Sequence, residues 1–176
     1  MIRLLALSIL LLSANFSQAQ VLTFDHGKVA FHTSSIMSDI EAVSEKIAVS
    51  IDIQTRDVEI LIPITSFEFE YEMMQDHFNE EYLESDKYPN ASFKGNIIQD
   101  ISKIQQTTEV DVTGNLTIHG VSKKTQFKAT LSKKDGFTRV KCVFPIVFKD
   151  YEVDEPSILT KSVAKDVELQ GVLYLK

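Results

Sequence analysis

From Lys28 onward the chain alternates apolar and polar residues, which is the period of a strand with one buried face. Val29 and Phe31 open the pattern. Ile47, Val49, Ile51 and Ile53 share one face, while Ser50, Asp52 and Gln54 take the other. After the polar turn Thr55-Arg56-Asp57 it resumes at Val58, Ile60, Ile62 and Ile64. Phe67 and Phe69 then alternate with Glu68 and Glu70. Further strands are predicted over residues 91–98, 110–118, 125–131, 137–148 and 167–175, with Asp135-Gly136 as a hairpin turn between two of them. Short polar turns between successive strands imply antiparallel pairing, because parallel neighbours need a crossover of roughly a dozen residues.

Gly95, Gly114 and Gly171 fall inside strand patterns. Glycine weakens a flat sheet and marks places where a sheet bends or two backbones approach. The expected fold is therefore mainly β, a closed antiparallel barrel of about eight strands, which also leaves no free edge. One segment breaks the period. Tyr71, Met74, Phe78 and Tyr82 recur at helical spacing, with Asp76, Glu80, Glu81 and Glu84 mostly opposite. This predicts an amphipathic helix from Tyr71 to Leu83, about three turns long, capping one end of the barrel. Its apolar stripe either covers core or faces whatever occupies the lumen.

The first residues read differently. Arg3, the apolar run Leu4 to Leu12 and Ser17-Gln18-Ala19 have the order of a secretory signal. Residues 1–19 are expected to be removed, leaving 20–176 as one exported domain, periplasmic or extracellular. The apolar run is shorter than the roughly 20 residues that span a bilayer, so no stable membrane insertion is expected. Hydrophobic residues at 44% and charged residues at 24% are values of a chain that folds. The single cysteine, Cys142, cannot form an internal disulfide, so packing must hold the fold; it reads as a small buried hydrophobe. The formal net charge is −7, one unit lower once Arg3 is lost, which opposes nucleic acid or an anionic membrane as partner. Self-association into a homodimer is compatible with the sequence.

Little in the chain suggests chemistry. Glu68, Glu70, Glu72, Asp76, Glu80, Glu81, Glu84 and Asp86 concentrate acid without the Asp-x-Asp-x-Asp-Gly spacing of a calcium loop, and read as a solvated face. His77 lacks a metal-binding partner at helical spacing. His119 stands at a strand end before Gly120 and reads as a turn or hydrogen-bonding residue. No nucleophile elbow, phosphate loop or dinucleotide fingerprint occurs. No enzymatic activity, catalytic residue, metal or cofactor is expected. The eleven phenylalanines point instead to an apolar interior. A barrel of about eight strands can be filled by its side chains or can hold one small ligand.

Two segments carry a family resemblance. Asp76-His77-Phe78 followed by Tyr88-Pro89 and Phe93 is one; Val112-Thr113-Gly114-Asn115-Leu116-Thr117-Ile118-His119-Gly120-Val121-Ser122-Lys123 is the other. Both resemble the YceI-like family, described as lipid- or polyisoprenoid-binding with a lipocalin-like barrel, and the likeness runs from about Lys28 to Leu175. The family's Arg-x-Asp-Phe/Tyr-Gly motif is met at Asp150 and Tyr151 only, with Phe148 and Glu152 at the Arg and Gly positions. The resemblance implies sequestration of an apolar small molecule, an isoprenoid or other lipid, in the lumen. On that basis Phe31, Phe67, Phe69, Phe93, Leu116 and Phe144 are the candidate lumen contacts, with Met74, Phe78 and Tyr82 closing the end. The alternative is a barrel filled by its own side chains that binds a basic protein through its acidic helix face.

Overall fold

The computed structural model describes residues 20–34, 39–153 and 167–176. The expected signal over residues 1–19 lies outside these. The described strands are β1 (Val21–Ser34), β2 (Asp39–Ser44), β3 (Ala48–Asp52), β4 (Asp57–Pro63), β5 (Glu68–Phe69), β6 (Asn90–Ile97), β7 (Thr108–Ile118), β8 (Val121–Lys134), β9 (Phe137–Ile146) and β10 (Val167–Leu175). Pairing in the order β1-β3-β4-β6-β7-β8-β9-β10 and back to β1 closes an antiparallel barrel of 8 strands. β2 continues the register of β3 along β1 and carries the two-residue β5 on its far edge.

The alternation read from the sequence sets the inward face of each wall strand. Val58 and Ile62, Phe93 and Ile97, Val110, Val112, Leu116 and Ile118 are buried at every second position. β1 is longer than expected, because Val21 to Phe24 also pair, and it changes phase midway. Phe24 lies opposite Leu175 but His26 lies opposite Tyr174, so one extra residue bulges out. Leu22 therefore faces the core before the bulge, and Val29 and Phe31 after it. Gly27 sits beside that bulge at φ 136°, where an added Cβ would stand 2.3 Å from the Val172 carbonyl oxygen. No other residue type fits that position.

The interior glycines have the role expected of them. Gly95 and Gly114 face each other across β6 and β7, and a Cβ on either would meet facing backbone within 3 Å. The Phe93 ring lies over both. The two-residue turns Asp135-Gly136 and His119-Gly120 each take positive φ at both positions, as hairpins with the right-handed strand twist require.

The helix differs from expectation. An α-helical segment, α1 (Glu72–His77), has no buried residue, and the chain then widens into a π-helical turn over Phe78–Tyr82. Leu83 N–H donates to the Phe78 carbonyl at 2.9 Å, a five-residue step. The wider turn shifts the phase by one residue. Phe78 and Leu83 are buried, Tyr82 is half-buried, and Tyr71 is exposed. Of the stripe Tyr71, Met74, Phe78 and Tyr82, Phe78 alone is thus buried.

Candidate functional site

The wall strands enclose a cavity of about 120 Å³ whose lining is apolar side chains except for Ser92 and Cys142. Phe31, Phe67, Phe78, Phe93, Leu116 and Phe144, all singled out from the sequence, line it. Phe69 does not. It stacks behind them, 5.0 Å from Phe78 and 5.6 Å from Phe31 between ring centroids. Tyr82 packs against the core from outside the lining, and burial raises its hydroxyl pKa above the ordinary tyrosine value, aided by Glu81. Met74 is half-buried on the helix and lines nothing.

Sequence reasoning missed several lining residues. Phe127 and Phe148 were not chosen, although Phe127 stacks on Phe144 at 4.3 Å and meets Phe93 edge-on at 5.4 Å. Alternation could have found Phe127, since it shares the inward parity of Ala129 and Leu131. Leu83 could not be found, because its inward place depends on the π turn. Cys142 lines the cavity too. Burial pushes its thiol up to about 11, so at neutral pH it is an apolar wall atom and not a nucleophile. Ile60, Phe127, Phe144 and Leu169 face inward by register yet are only half-buried. The surface left uncovered on them is surface on the lumen.

The two family-like segments meet where the helix crosses the barrel. Tyr88 packs edge-on against His119 at 4.5 Å, and a Cβ on Gly120 would strike the Tyr88 ring at 2.6 Å. His119 Nε2 lies 2.8 Å from a Glu84 carboxylate oxygen, while Nδ1 is buried without a partner. An imidazole in that setting keeps its proton on Nε2 and donates it to Glu84. This ties the residues after the π turn to the β7–β8 hairpin. On the other side, Ser66 Oγ donates to the Pro63 carbonyl at 2.6 Å and receives the Ser44 hydroxyl proton at 2.7 Å.

Phe148 enters the lining at the position where the family motif has arginine, and Glu152 takes φ 57°, the conformation that suits the motif's glycine. Among the described residues, no group of three or more His, Cys, Asp or Glu could hold a metal ion. No described helix is long and apolar enough to cross a membrane.

Comparison with known proteins agrees with this geometry. Residues 17–174 match the family model described as a YceI-like domain. A UPF0312 protein of Pseudomonas putida strain W619 is 29% identical over 98 residues, covering 52% of this chain and 49% of its own. The chain spans about half the length of the curated relatives it matches. Among solved structures, a polyisoprenoid binding domain from Saccharophagus degradans implicated in plant cell wall breakdown superposes with a TM-score of 0.74. It is 15% identical over 90% of this chain and 99% of that one. Burkholderia cenocepacia BcnA gives a TM-score of 0.71 at 20% identity, over 84% of this chain and 95% of that one.

Proposed function

This chain belongs to the YceI-like family, and from that premise we propose that its barrel sequesters an apolar ligand, an isoprenoid or other lipid, in an extracytoplasmic compartment. The observation that carries this reading is the cavity, a void walled by hydrocarbon side chains inside a closed barrel. A barrel filled by its own side chains has no use for such a space. The likeness to the Saccharophagus degradans protein, a polyisoprenoid binding domain, supports the same ligand class.

The physics fits binding without chemistry. Each buried methylene contributes about 0.8 kcal/mol, offset in part by lost translational freedom and chain ordering. An apolar guest needs no directional contact from the wall, and the wall provides almost none. Phe31, Phe67, Phe78, Phe93, Leu116 and Phe144 are the proposed contacts, with Phe69, Met74 and Tyr82 outside them at the helix. Export rests on the signal-like residues 1–19: the intact mass of exported protein should begin at Gln20, and a product retaining Met1 would contradict it.

The direct test is mass spectrometry of an organic extract from protein purified without detergent. A lipid recovered in proportion to folded protein is the expected result. Folded protein that carries none, and takes up no fluorescent polyprenyl analogue, ends the ligand reading.

A further inference from the structure

We propose that this lumen selects a short, uncharged apolar molecule of about one or two isoprene units and rejects long polyprenyl chains, an inference that rests on the ligand reading above. The first ground is room. An apolar cavity of roughly 150 Å³ accommodates benzene, and this one measures about 120 Å³. A single isoprene unit is a guest of that order. A second fits only where half-buried Phe144 and Phe148 turn aside.

The second ground is that aromatic rings crowd the lumen. Phe93, Phe127 and Phe144 form a continuous ring cluster in the lining, Phe127 edge-on to Phe93 and stacked on Phe144. The Phe93 ring is seated over the Gly95–Gly114 pair, a patch of wall without side chains. Beyond the rings, Ile97, Leu131 and Leu175 line the same cavity and are almost wholly buried. A long chain must displace these rings.

The third ground is charge. Ser92 and Cys142 alone among the lining side chains carry a polar atom, and Phe148 puts a ring in the wall. An anionic head drawn into that space would be buried without a partner, which is strongly unfavourable.

Competition against a fluorescent apolar reporter on detergent-free protein tests this with geraniol, farnesol and geranylgeraniol. In an open tunnel each added methylene raises affinity by about fourfold. Here affinity should peak at geraniol, with two isoprene units, and fall by about tenfold or more by geranylgeraniol, as overfilling a packed interior does. Geranyl phosphate should bind more weakly than geraniol. Phe144→Ala should move the optimum to a longer chain, and Phe144→Leu should move it in the same direction with less loss of packing. Affinity that climbs through geranylgeraniol in the parent overturns the length limit and leaves the ligand reading standing. Tighter binding of geranyl phosphate overturns the neutrality. Folded protein that binds none of these and carries no extractable lipid removes the ligand reading, and this inference with it.

Discussion

The two ends of the barrel are built from different side chains. Away from the helix, branched aliphatics pack closely: Ile97, Val110, Leu131 and Leu175 are 2, 1, 1 and 0% exposed. Hydrogen bonds tie the strand ends there, Arg56 Nη1 to the Ile98 carbonyl at 2.7 Å, and Gln99 with Asp111 at 2.7 and 2.8 Å. At the helix end the contacts are between rings, Phe31, Phe67, Phe69 and Phe78 lying 5.0 to 5.9 Å apart. Flat rings meeting at tilted angles leave gaps that interlocking methyls fill. Phe69 and Phe148 are only half-buried there, and a π turn replaces regular helix. One end packs branched aliphatics and the other packs rings.

That contrast predicts different mutational signatures. Leu131→Ala at the closed end should cost about 3–5 kcal/mol in urea denaturation, because the packed neighbours cannot collapse into the hole. Leu131 also lines the cavity, so bound reporter per folded molecule should change, but less than in Phe78→Ala. Phe78→Ala at the helix end should cost about 3 kcal/mol, and should also lower ligand retained per folded molecule, measured below the unfolding transition. If Leu131→Ala releases ligand while Phe78→Ala does not, the assignment of roles to the two ends is reversed.

How much of this could be read in advance follows from the range of the forces involved. The wall strands were readable because alternation is local, and the Asp135-Gly136 and His119-Gly120 turns because positive φ is a local demand. The phase change in β1 was not. It depends on a bulge set by register against β10, at the opposite end of the chain. The helix was placed correctly, but its inward face was not. The π turn at Phe78 rotates Leu83 inward in place of Tyr82, and tertiary packing selects that turn. Most cavity residues followed from parity. The cavity did not, because a void is a property of packing and not of any one residue.

Midway between the ends, Cys142 provides a measure of the wall's polarity. Its thiol is raised from 9.0 to about 11 by burial. A group whose folded pKa lies above its unfolded value stabilises the fold fully below the unfolded pKa, and that contribution disappears as pH rises through the folded one. The parent should therefore lose about 2–3 kcal/mol relative to Cys142→Ala between about pH 9 and pH 11. Denaturation of both proteins across that range measures it. A constant gap would mean that water reaches the thiol and that the lumen is wetter than its lining suggests.

The smallest expected effect lies at the helix end and has the opposite sign. Glu152 follows the 3₁₀ turn Phe148–Tyr151 with φ 57° and ψ 28°, and its N–H donates back to the Lys149 carbonyl at 3.3 Å. That left-handed conformation costs a residue with a Cβ about 1–2 kcal/mol. The turn persists because its neighbours hold it. Tyr151 is buried with its hydroxyl bonded to Thr125, and Phe148 lines the cavity wall. Glu152→Gly removes the strain but gives the unfolded chain more freedom, so the net gain should be about 0.5–1 kcal/mol. The exposed Glu152 side chain reaches neither end's packing, so ligand retention should stay as in the parent. Chemical denaturation gives the first quantity and reporter binding the second. A loss of stability would mean that the backbone at Glu152 is not left-handed, and that the turn seating Phe148 in the wall is built differently.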